Sequence, residues 1–174
     1  MRKDGASVVV VAGHSLGANA AIAEAAYGHE PVDAVKAITP GQAPEQPGCR
    51  KRIAASLEEA RSMVAAGKGS AKGSFLDLNA GRESTFPIPA LVYVSYNDPE
   101  GMACMPISAS KVGKGIPLLW IFAGPEDVLY RQGSGYVFDR WPANQKSRYM
   151  ILNSSHLNAP NVAIDTVVEW IRGL

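Results

Sequence analysis

The sequence predicts an α/β fold organised around a parallel sheet. Three observations carry this. Two short runs, Ser7 to Ala12 (SVVVVA) and Pro117 to Ala123 (PLLWIFA), are continuously apolar and rich in β-branched or aromatic residues. Strands buried on both faces of a parallel sheet read this way, whereas half-exposed strands alternate. Strand-like segments then alternate with helix-like ones along the chain, as right-handed βαβ units require.

The elements follow in order. After the first run, Leu16 to Tyr27 is mostly alanine, which suits a helix lying close against a sheet, and Gly28 ends it. Val32 to Ile38 reads as a second strand, stopped by Thr39-Pro40-Gly41. A Pro/Gly-rich loop leads to Ile53 to Ala66, whose Ile53, Leu57, Ala60 and Val64 share one helical stripe. Phe75 to Leu78 and Ala90 to Tyr96 read as strands flanking a β-excursion, and Ile107 to Val112 as a short helix. Pro117 to Ala123 is a strand as apolar as the first, followed by a helix over Leu129 to Arg140 despite its internal glycines. Arg148 to Leu152 is a further strand, and Val162 to Arg172 a terminal amphipathic helix with Val162, Ile164, Val167, Val168 and Ile171 available for burial.

Composition narrows the function classes. The chain has 174 residues, enough for one domain (1–174) with a real core. Its hydrophobic content is 47% and its charged content 19%, as in soluble globular proteins. A net charge of +1 gives no electrostatic reason to expect nucleic acid or an anionic membrane surface as partner, and Arg50-Lys51-Arg52 is too short for a basic footprint. No segment approaches the ~18 apolar residues of a membrane span. Arg2-Lys3 and the valines after it loosely imitate a signal peptide, but the apolar core is too short, so a cytoplasmic location is the default. Cys49 and Cys104 have no metal or redox spacing, and no residue set points to a metal or an organic cofactor.

One motif carries chemistry. Gly13-His14-Ser15-Leu16-Gly17 is a G-x-S-x-G sequence placed between the first strand and the first helix. The pattern alone is common; the strand-turn-helix setting is not. A serine on such a turn stands clear at the end of the sheet, where a base can reach its Oγ. At Gly13 and Gly17 a Cβ is expected to collide with the neighbouring strand or helix.

In an open α/β sheet, active groups collect beyond the carboxyl ends of the strands. Ser15, Asp127 and His156 each follow a predicted strand, in the order Ser, Asp, His. A serine hydroxyl needs an imidazole to take its proton, and a carboxylate to orient that imidazole. Asp127 is preferred because its strand directly precedes the histidine strand. Asp98 also ends a strand-like segment and is the rival acid, with Glu126 a weaker one; a helix cap is the ordinary alternative for Asp127. Of three histidines, His14 lies inside the turn and His29 ends the first helix, which leaves His156 as the base.

VVVVAGHSLGA, FAGPEDVLY and NSSHLNAP, with a helix after the last, resemble the C-terminal part of an α/β-hydrolase of the esterase or lipase type. The resemblance implies a serine hydrolase that cleaves an ester or related acyl bond through an acyl-enzyme. Ser15 would be the nucleophile, His156 the base, Asp127 the orienting carboxylate and the Leu16 N–H one oxyanion donor. Residues 42 to 116 match less and would be a cap-like insertion, with Phe75, Phe86, Tyr93, Tyr96 and Met102 either lining the site or forming that segment's own core. Set against the family pattern, the chain is expected to be truncated before the nucleophile strand, without the strands and the loop that give the second oxyanion donor. The expected consequences are an exposed sheet edge, open to self-association or a partner chain, and an alternative in which the chain is a non-catalytic module that binds an acyl ligand.

Overall fold

A computed structural model describes residues 2–79, 82–125, 127 and 129–174. They form two compact units: the residues up to Gln42 together with Met105–Leu174, and Ala43–Cys104.

The first unit is a four-stranded parallel sheet. Its strands are β1 (Val10–His14), β2 (Ala34–Ile38), β5 (Leu118–Phe122) and β6 (Arg148–Ile151), in the spatial order β1-β2-β5-β6. Register pairs His14 with Ile38, and Ile38 with Ile121. Helix α1 (Leu16–Tyr27) turns back from β1 and buries Ala18, Ala21 and Ile22, small enough for the close approach its alanines predict. The other helices of this unit are α4 (Met105–Ala109), α5 (Ala159–Val162) and α6 (Ile164–Arg172). Ile38, Leu119, Ile121 and Ala123 make one core with Ala159, Ala163 and Trp170. The C-terminal helix differs from its sequence reading. Val167 and Trp170 pack on the sheet, one turn apart, while Val162, Ile164, Val168 and Ile171 are exposed. Ala159 and Ala163 bring the backbone so close that only that narrow stripe meets the sheet.

Two further expectations change in this unit. The first strand is an edge, paired with β2 alone among the described residues, and none of its five positions is fully buried. Leu129 to Arg140 is a chain of three short 3-10 turns, Tyr130–Gln132, Ser134–Tyr136 and Phe138–Arg140. Gly133, at φ +62, occupies a left-handed conformation that an α-helix cannot continue through.

The second unit holds α2 (Pro47–Ala65), an antiparallel hairpin of β3 (Lys72–Asn79) and β4 (Arg82–Pro89), and α3 (Ala90–Asn97). Helix α2 starts earlier than its apolar stripe, with proline in its first turn, where a missing N–H costs nothing. Ala90 to Tyr96 is helical, not extended. Its aromatic and β-branched residues favour a strand locally, but Ala90, Tyr93 and Asn97 are buried at helical spacing. Phe75 and Tyr93 stack at 4.7 Å inside this unit's core, and the Tyr93 hydroxyl donates to the Leu76 carbonyl at 2.7 Å. Burial pushes that phenol up to about 12. Phe86, Tyr96 and Met102 are exposed. Cys49 and Cys104 are not joined in a disulfide. Among the described residues no helix is long and apolar enough to cross a membrane, and no cluster of His, Cys, Asp or Glu is arranged to hold a metal ion.

Candidate active site

Ser15 sits between β1 and α1 at φ 54 and ψ −126. A non-glycine residue adopts such a backbone only when its surroundings impose it. Here the Ser15 N–H donates to the Ile38 carbonyl at 3.0 Å, and the Ser15 carbonyl accepts from Ala18 at 2.9 Å. Gly13 makes the fold-back possible: a Cβ there would lie 1.9 Å from the Gly17 carbonyl oxygen. The collision expected at Gly17 does not occur, because its Cβ position is open. The tight contact is made by the Gly17 carbonyl, so the steric demand falls on Gly13 alone.

Serine at a helix N-cap ordinarily accepts from a first-turn N–H. Ser15 makes no such bond. Its Oγ lies 3.0 Å from His156 Nε2 instead. His156 belongs to the turn after β6, and its ring is one-third exposed. Its Nδ1 is 3.9 Å from Asp127 Oδ2, an ion-pair separation rather than a hydrogen bond, and the Asp127 side chain is fully buried. The Asp127 carboxylate faces the Ala123 and Leu129 N–H groups, each at 3.4 Å. The loops after β5 and β6 are joined by main-chain bonds from Leu152 to Phe122 and from Ser154 to Ala123. Gly124, at φ +111, turns the chain toward Asp127. Ser15, His156 and Asp127 are thus gathered at one end of the sheet.

Asp98 belongs to the second unit and pairs with Arg61 at 2.8 Å. Glu126 lies outside the described residues.

Two residues near Ser15 have no signal in the sequence motif. Thr39, one step past the pairing of His14 with Ile38, is the other described non-glycine residue with positive φ, at 42. Gly41 follows it. A Cβ on Gly41 would stand 2.5 Å from Ser15 Oγ and 3.2 Å from the Leu16 nitrogen. That space is free only because residue 41 is glycine. The Leu16 N–H opens α1, where no carbonyl of a preceding turn can take it and the helix dipole is positive. No acidic residue sits in that first turn. A cavity of about 470 Å³ beside the β5 and β6 ends is lined by Ala123, Pro125, Asn153, Ser154 and Ser155, all neutral.

No protein-family model and no curated protein matches the chain. Solved structures do. A protein named as a hydrolase from Agrobacterium vitis S4 matches with a TM-score of 0.51 at 13% identity, over 94% of this chain and 60% of that one. The likeness shows the fold: a mixed α/β architecture with a mainly parallel sheet, shared with that hydrolase. E-2-(acetamidomethylene)succinate hydrolase matches with a TM-score of 0.47 at 14% identity, over 98% of this chain and 69% of that one. The chain spans 60% of the length of the first. On this α/β fold, the strained serine stands at the turn between a parallel strand and its helix.

Proposed function

We propose that the chain is a serine hydrolase acting on an ester or related acyl bond. The observation that carries this is the pairing of Ser15 Oγ with His156 Nε2 at 3.0 Å, on a serine held at positive φ and without its ordinary cap bond. Ser15 Oγ attacks the acyl carbon while His156 Nε2 takes its proton. Nε2 is then an acceptor in the resting state, and the ring hydrogen lies on Nδ1, the side that faces Asp127. The Leu16 N–H stabilises the oxyanion, in the room that Gly41 leaves. His156 returns its proton to the leaving alcohol, giving an acyl-enzyme that water hydrolyses by the same steps in reverse. The 3.9 Å gap between His156 and Asp127 is the contact that tightens once the imidazolium forms, since hydrogen bonds at such sites are commonly long before substrate binds.

A fluorophosphonate tests this directly. Intact mass is expected to show one adduct on the wild-type chain and none on Ser15→Ala. An adduct that survives in Ser15→Ala sinks the proposal.

One observation favours a second reading. Among the described residues β1 pairs on one side only, along the strand that leads to Ser15. In this reading the chain is a non-catalytic module that takes a partner strand there. It predicts a folded chain that pairs through β1, takes no label and does not turn over esters.

A further inference from the structure

His14 ends β1, immediately before Ser15. Its Nε2 lies 2.9 Å from the backbone carbonyl oxygen of His156, and the two rings are 5.0 Å apart. A carbonyl oxygen only accepts, so His14 donates from Nε2–H. Ser15 meets the ring of the same residue, 141 positions later in the chain. Two consecutive residues of one turn therefore hold His156, one by its main chain and the other by its imidazole. Further main-chain bonds of that turn, from Ser154 to Ala123 and from Asn158 and Ala159 to Ser155, fix its flanks.

We propose that His14 is a positioning residue for His156: its Nε2–H anchors the main chain of the base to the strand that carries the nucleophile. The proposal rests on the reading of His156 as the base of Ser15. The anchor ties nucleophile and base to one rigid turn, so that movement of the loop after β6 does not open the Oγ–Nε2 pair. Without it, a displacement of ~1 Å at the reacting pair costs about 10²-fold in rate.

His14→Phe keeps a planar ring and removes the donor; His14→Gln restores an N–H. Both are compared with the wild-type full chain in p-nitrophenyl butyrate hydrolysis, and the imidazoles are followed by ¹⁵N NMR. His14 is expected as the Nε2–H tautomer in the wild type. The Phe variant is expected to stay folded with kcat lowered about 10²-fold and KM unchanged, and the Gln variant to recover most of the loss. A wild-type kcat in the Phe variant, a Gln variant as slow as the Phe variant, or an Nδ1–H tautomer at His14 overturns the proposal. If the wild-type chain neither takes a fluorophosphonate nor turns over ester, the hydrolase reading fails by itself. The ring resonances of His156 then decide: a shift in His14→Phe supports the anchor, and unchanged resonances overturn it.

Discussion

β1 and β5 are both five-residue parallel strands of apolar sequence, yet β5 is buried at every position and β1 at none. An apolar run specifies a strand; it does not specify how much of that strand is covered. β5 is flanked by β2 and β6 and contributes Leu119 and Ile121 to the core with Ala159, Ala163 and Trp170. β1 is an edge whose distinguishing residues are the last two, Gly13 and His14, which shape the turn. The comparison separates the strand that holds the unit together from the strand that aims its side chains.

Removing volume from each strand should therefore give unequal losses. Ile121→Ala opens a cavity in a fully buried site and is expected to cost ~2–5 kcal/mol. Val11→Ala removes two methyl groups from a half-covered position and should cost about 1 kcal/mol. Urea midpoints at constant m-value measure both; equal losses would break the comparison.

At the turn the expectation is reversed, with rate affected and stability spared. Gly41→Ala puts a methyl group against Ser15 Oγ and the Leu16 nitrogen; on the proposed hydrolase reading it should cost about 10²-fold in kcat/KM with little change in midpoint. Gly17→Ala, whose Cβ meets nothing, is the matched control and should leave the rate intact. A Gly41→Ala enzyme as fast as the wild type would remove this residue from the site.

The smallest effect lies at the entry to β1. Asp33 accepts from the Val9 N–H at 2.6 Å and from Arg2 at 2.7 Å. The Val9 bond holds its carboxyl below the ordinary 3.8, helped by Arg2 and opposed by partial desolvation. A carboxyl lowered in the folded state contributes stability above its unfolded value, and that stability is lost as pH falls through the folded value. Asp33→Asn should lower stability slightly at neutral pH and flatten the acid limb of the unfolding curve, the two proteins converging once the wild-type carboxyl is protonated. An unchanged limb would show that the tie at the start of β1 carries no stability.

How much was legible follows from how local each signal is. β5 could be read because a strand inside a parallel sheet leaves uninterrupted apolar sequence. Ser15, Asp127 and His156 could be grouped because each follows a strand legible in the sequence, and the distances from Ser15 to His156 and from His156 to Asp127 are 3.0 and 3.9 Å. α3 was misread because Val92, Tyr93 and Val94 favour extended chain locally, while burial of Ala90, Tyr93 and Asn97 along one side decided otherwise. The burial of β1 depended on which strands flank it, which no window of sequence contains. Gly41 and the His14 anchor were invisible for a related reason. Each acts on a residue far along the chain, and the one available hint was a Thr-Pro-Gly stop after the strand that pairs with β1.

The backbone of Ser15 bears on how this chain can change over generations. A serine at φ 54 carries strain on the order of 1–3 kcal/mol, and its forgone cap bond about 1 kcal/mol more. Glycine would relieve the strain without disturbing Gly13 or α1. Any lineage that ceased to use the hydroxyl would thus gain stability by drifting to glycine at this one codon. On the proposed reading, serine at position 15 is a residue that the backbone works against and the hydroxyl's chemistry retains.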